Sequence, residues 1–153
     1  MIIDGGKFLT FYLDQELYGI PINKAREIIG LMEITHIPKT QNYIKGVINL
    51  RGKIIPIIDL RLKFGMTERP YTDRTCVIVI EIGLREARHL VGVAVDNVAE
   101  VVTIQQSEIE PPPEYGAQMN GDFIAGVGKI KEKVVMILDI EEILSRDELT
   151  HIA

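Results

Sequence analysis

The sequence predicts an all-β fold, mainly antiparallel: two pseudo-repeated barrels of about five strands each, with a short helix near the C-terminus. Three observations carry this prediction. Apolar residues fall in short runs rich in Ile and Val with turn residues between them, the pattern of strands rather than helices. The stretch YIKGVINLRGKIIPIIDL (43–60) recurs without a gap as FIAGVGKIKEKVVMILDI (123–140). The stretch YGIPINKAREII (18–29) recurs as VGVAVDNVAEVV (91–102). Repeats of this length argue for two similarly folded halves. Small antiparallel sets remove their exposed edges by closing into barrels.

The first run covers residues 8–13 and ends in the polar turn Asp14-Gln15-Glu16; the second covers 17–22. Runs at 43–50 and 53–58 flank a tight turn at Arg51-Gly52. In the second half, 76–82 leads through 83–88 into 90–95, and runs at 124–130 and 133–138 flank Lys131-Glu132. Ile44/Ile124, Gly46/Gly126, Val47/Val127, Lys53/Lys133, Ile57/Ile137 and Asp59/Asp139 are identical between the copies. Gly19 matches Gly92 and Glu27 matches Glu100, so the offset is 73 residues in the earlier segment and 80 in the later one. A loop insertion at 107–121, whose three prolines favour an extended exposed connector, explains the difference. Asp139, with Glu142 three residues on, has the form of a helix N-terminus, and Ile140, Ile143 and Leu144 share one helical face. Asp59 is placed to cap a shorter turn through 60–64 that Gly65 ends. The whole reads as a single domain over 1–153, with halves at about 8–68 and about 74–149.

Composition restricts the function. The chain carries 17 Lys and Arg against 22 Asp and Glu, a net charge of −5. An acidic chain lacks the basic face that nonspecific nucleic-acid binding requires. It also has no polybasic patch for anionic lipid and no uncharged apolar stretch near the ~20 residues of a membrane span. Cys76 is the only cysteine, which excludes an intrachain disulfide and a cysteine-rich zinc site. A reducing compartment follows most simply, and the N-terminus has no signal-peptide pattern, so the expected location is cytoplasmic.

The repeated Asp59 and Asp139 invite an aspartic dyad, but neither lies in the small, hydroxyl-bearing turn that a dyad uses, and helix capping explains both. Gly46 to Lys53 fails as a phosphate loop, having five residues between its glycines and Ile54 where a hydroxyl is needed. Gly46 and Gly126 read instead as strand glycines at a close backbone approach. His36, His89 and His151 form no ligand pair, and Cys76 reads as a small buried hydrophobe. No cluster of residues supports an enzyme, a metal or a cofactor. Arg51 stands at the turn that differs within the aligned segment: Asn49-Leu50-Arg51-Gly52 against Lys129-Ile130-Lys131-Glu132. Local sequence favours a solvated turn arginine; an interface anchor is the other reading.

The stretch YIKGVINLRGKIIPIIDLRLKFG (43–65) closely resembles the signature of the CheW family of bacterial chemotaxis coupling proteins, as do AREIIGLMEITHIPK (25–39), VGVAVDNVAEVV and GVGKIKEKVVMILDIEEIL (126–144). The resemblance runs from about Phe8 to Leu149 and includes the Asn-Leu-Arg-Gly turn. It implies two intertwined five-stranded SH3-like barrels. It also implies a non-enzymatic adaptor, without cofactor, that couples methyl-accepting chemoreceptors to the histidine kinase CheA in membrane-associated arrays. Family roles carried onto this sequence point to Arg51 for receptor coupling. They point to Leu9, Ile22, Ala25 and Ile28 for an apolar groove that takes the receptor tip between the barrels. The regulatory domain of CheA shares the fold and joins barrel to barrel, through residues the resemblance leaves unassigned. A free-standing CheA-type regulatory domain, or a part of a receiver-domain fusion, is the alternative; the length of the chain argues against both.

Overall fold

The computed structural model describes residues 4–84, 87–112 and 123–144. In chain order these form β1 (Gly6–Leu13), β2 (Glu16–Pro21), a 3-10 turn (Ile22–Lys24), β3 (Ala25–Gly30), β4 (Ile44–Leu50), β5 (Lys53–Asp59) and helix α1 (Leu60–Lys63). There follow β6 (Cys76–Leu84), β7 (Ala87–Val95), β8 (Asn97–Ile104), a 3-10 turn (Gln106–Glu108), β9 (Ile109–Glu110), β10 (Ile124–Ile130), β11 (Lys133–Leu138) and helix α2 (Ile140–Leu144). The all-β reading with a short closing helix holds.

The strands make two sheets, one in the order β8-β1-β2-β11-β10-β9 and one in the order β3-β6-β7-β5-β4. Each draws on both halves of the sequence: β1 and β2 join β8–β11, while β6 and β7 join β3–β5. The joints are the two parallel pairs, β2 with β11 and β5 with β7. At one joint Ile137 faces Gly19, and at the other Ile57 faces Gly92. These are the same two repeat positions with the halves exchanged, so the 73-residue and 80-residue offsets meet at the joints.

Three apolar layers result. One lies between the sheets and gathers Leu9, Phe11 and Ile20 from one sheet with Ile78, Ile80 and Val93 from the other, plus Ile140, Ile143 and Leu144 of α2. The second holds Ile55, Ile57, Val77 and Val79 within the five-stranded sheet. The third holds Phe8, Ile104, Val135 and Ile137 within the six-stranded one. Alternate residues of β6 therefore enter different layers, Ile78 and Ile80 one way and Val77 and Val79 the other. A strand covered on both faces reads as a continuous apolar run, which is why CVIVIEI has no polar alternation.

Both helix caps are present. Asp59 Oδ1 accepts the backbone N–H of Leu62 and Asp139 Oδ1 that of Glu142, each at 3.1 Å. Asp59 is buried and also accepts the Tyr71 hydroxyl at 2.7 Å. Gly46 sits at a bulge between β4 and β5, with φ 140°, and a Cβ there would lie 2.1 Å from the Thr35 carbonyl oxygen. Thr35 exchanges backbone hydrogen bonds with Val47 at 2.8 and 2.9 Å, so the chain after β3 covers the outer edge of β4. In the other half β9 does the same for β10, pairing Glu110 with Val127.

Some sequence expectations change. Ile22 lies in a 3-10 turn rather than in a strand, and β3 and β8 are strands that the apolar runs did not mark. The segment 107–121 does not begin as a bare connector, since a 3-10 turn and β9 occupy its start; 113–121 lies outside the described residues. Cys76 is half-buried, not core, because it opens β6 opposite Gly30 at the end of edge strand β3.

Candidate functional site

The unrepeated turn is held by its own sequence. Asn49 Oδ1 accepts the Gly52 N–H at 2.8 Å, and Arg51 and Gly52 have φ of 51° and 90°. Left-handed backbone is free for glycine and costs energy in arginine. The Asn49 bond and Gly52 thus fix Arg51 in a strained position. Its guanidinium Nη2 donates to Glu27 Oε1 of β3, while 68% of the side chain stays exposed. An exposed ion pair contributes only about 0–1 kcal/mol, so this pair orients the guanidinium more than it stabilises the fold. In the other half Lys131 has a similar φ of 53°, but Lys129 and Glu132 replace Asn49 and Gly52, and Lys129 pairs with Glu110. There the repeat mates of Arg51 and Glu27, namely Lys131 and Glu100, line an open cavity of about 830 Å³ floored by Leu17, Val102 and Val135.

The other predicted site residues separate by depth. Ile28 lies opposite Ile78, and Ala25 opposite Ile80. Residues paired across strands share a sheet face. Ala25 and Ile28 therefore sit on the face that carries the layer between the sheets, at its rim, because β3 is an edge strand. Ala25 packs against that layer, whereas Ile28 is 45% exposed. Ile22 is also exposed, on the turn that carries the chain from one sheet to the other. Leu9 is different: it is 2% exposed within the layer, paired between Ile20 and Val101 on a strand flanked on both sides. It is packed inside the layer and offers no surface to a partner.

Sequence reasoning missed three further apolar residues and one acid. Leu31 and Met32, directly after β3, are exposed and extend the apolar segment that begins at Ile22. Val101, also exposed, is the repeat mate of Ile28 on the opposite edge of the layer; the 73-residue offset could have found it. Glu27, already marked as a repeat identity with Glu100, proves to be the partner of Arg51.

Two ionic clusters frame this region. Arg61, buried in α1, donates to Asp14 Oδ1 at 2.6 Å, to Asp96 Oδ2 at 2.9 Å and twice to the Thr67 carbonyl. The hydrogen bond from Arg61 holds the Asp14 carboxyl below the ordinary carboxylate range. Lys24, between Ile22 and Ala25, pairs with Glu141 of α2, and its hydrogen bond lowers the Glu141 carboxyl. Among the described residues, no group of three His, Cys, Asp or Glu side chains is placed to hold a metal ion. No described helix is long and apolar enough to cross a membrane. Edge strand β3 thus carries Ala25 and Ile28 on one face and Glu27, which orients Arg51, on the other.

Comparison with known proteins gives the family. The model of the CheW-like domain family matches residues 7–148. The chemotaxis protein CheW of Klebsiella aerogenes is 41% identical over 145 residues, spanning 95% of this chain and 85% of that protein. The Helicobacter pylori chemotaxis protein CheW is 37% identical over 141 residues, 92% of this chain and 82% of that one. The crystal structure of the scaffolding protein TtCheW from Thermoanaerobacter tengcongensis superposes with a TM-score of 0.83 at 35% identity, covering 94% of this chain and 95% of that one.

Proposed function

The chain belongs to the CheW-like domain family, a family of non-catalytic chemotaxis scaffolds, and we propose that it joins the cytoplasmic tips of chemoreceptors to the histidine kinase CheA. The observation that carries the receptor half of this reading is the edge strand β3, which carries Ala25 and exposed Ile28 on one face, after exposed Ile22, and Glu27 with its partner Arg51 on the other. A helical hairpin tip presents apolar residues at three- and four-residue spacing, and such a stripe seats in an apolar groove. The arginine, already oriented by Glu27, adds a charged anchor at the edge of that contact. Leu9 takes part by holding the floor. The same reading puts the protein in membrane-associated arrays through its partners. The regulatory domain of CheA is the second partner, through a surface not assigned to residues.

The test is a titration of the protein against two ligands, a receptor tip fragment and the CheA regulatory domain. Saturable binding to both is expected, with Arg51→Ala weakening the first and leaving the second. Binding to neither overturns the proposal.

A further inference from the structure

The chain passes between the two sheets twice, once through Ile22–Lys24 from β2 to β3 and once through Asp96 from β7 to β8. Each crossing is ion-paired to a short helix: Asp96 to Arg61 of α1, and Lys24 to Glu141 of α2. Arg61 and Glu141 are repeat mates, 80 residues apart, and Asp96 is mate to Asn23, next to Lys24. The same clamp is therefore built twice with its charges reversed. The two copies differ in burial. Arg61 is 5% exposed and has the Thr67 carbonyl as a further partner, whereas Lys24 and Glu141 are 33% and 43% exposed. The α2 helix that carries Glu141 also packs against β6. Glu141 thus ties α2, which follows the six-stranded sheet, to the crossing, while the helix itself rests on a strand of the five-stranded sheet.

We propose that Lys24 and Glu141 are a positioning pair: Glu141 holds the crossing, and the crossing presents Ile22 and Ala25 to the receptor tip. The inference rests on the receptor reading above. It assigns Lys24 an indirect role, although it stands between two groove residues and a direct contact with an acidic receptor group is the obvious competing role. The α2 helix supplies the rigid base, since Ile140, Ile143 and Leu144 are buried in the layer between the sheets.

Charge reversal separates the two roles. Lys24→Glu, Glu141→Lys and the double variant are compared with wild type by receptor-tip titration and by amide hydrogen exchange at residues 22–28. Thermal melting confirms that each variant is folded. Each single reversal is expected to weaken tip binding about three- to five-fold, the scale of a part-exposed pair, and to speed exchange in that segment. The double variant is expected to return both readouts to within about two-fold of wild type. Single variants with unchanged exchange overturn the clamp. A double variant that binds no better than Lys24→Glu overturns the indirect role and makes Lys24 a direct contact. Failure of the wild-type protein to bind the tip overturns the receptor reading and the role given to the pair, while exchange still reports the clamp separately.

Discussion

Ile57 lies directly opposite Gly92 across the parallel strands β5 and β7, with its Cδ1 2.5 Å from where a Cβ on residue 92 would sit. Val77 Cγ1 is 2.8 Å from the same point. Ile57 and Val77 are both buried, so two packed side chains would have to shift together. At the matching joint a Cβ on Gly19 would lie 3.0 Å from Val135 Cγ1, with the Leu9 carbonyl oxygen and Phe8 Cβ at ordinary contact, 3.6 and 3.7 Å. Overpacking a dense core costs about 1–3 kcal/mol. Gly92→Ala should lie in the upper part of that range and Gly19→Ala at or below its lower end. Urea unfolding midpoints of the two variants check this; equal losses would contradict it.

Arg51→Ala is expected to weaken receptor-tip binding by about 1–4 kcal/mol, the range for an interface arginine. Its thermal midpoint should move by no more than a degree or two, because its pair with Glu27 is exposed. Glu27→Gln should give a smaller binding loss in the same assay, since it frees the guanidinium without removing it.

Ile28→Glu tests the groove by charge. Ile28 is exposed on an edge strand, so the variant should melt close to wild type. Receptor-tip binding should be lost to the limit of detection, because a buried carboxylate at the contact would have no partner. A folded variant with undiminished affinity would remove Ile28 from the site.

Arg61→Ala should destabilise the fold far more than Arg26→Ala, although both arginines are ion-paired. Arg61 is 5% exposed and Arg26 60%. Breaking a fully buried pair costs about 3–5 kcal/mol; Asp14 and Asp96 retain partial access to water, which points to about 2–3 kcal/mol here. Arg26→Ala should fall within about 1 kcal/mol. Chemical denaturation of both variants gives the comparison.

Acid should weaken the Glu141 clamp. The Glu141 carboxyl is lowered first by the hydrogen bond from Lys24, so its folded value lies below its unfolded one. Stability from such a group is present above the unfolded pKa, about 4.3, and is lost as pH falls through the folded value. The slope of stability against pH below that point should flatten in Glu141→Gln. Denaturation midpoints measured across that window check the sign; an unchanged slope would mean that the pair does not contribute.

The sequence by itself determined the fold class, the internal repeat and most of the strands, because these rest on local pattern. Isoleucine and valine runs between turn residues, Asp59 and Asp139 ahead of short apolar faces, and Gly46 in a strand each carry their reason within a few residues. The Asn49-Leu50-Arg51-Gly52 turn was visible as a break in the 43–60/123–140 repeat, and resemblance singled out Arg51. Tertiary structure alone decided what pairs with what. Glu27 and Arg51 are 24 residues apart, on the two opposite edges of the five-stranded sheet, and meet because that sheet curls its edges together. Leu9 and Ile28 look equally apolar in sequence. One is flanked on both sides and buried, and the other is exposed on an edge strand. Burial depends on which strands lie alongside, and strand neighbours set by exchange between distant halves leave no mark on the residues themselves.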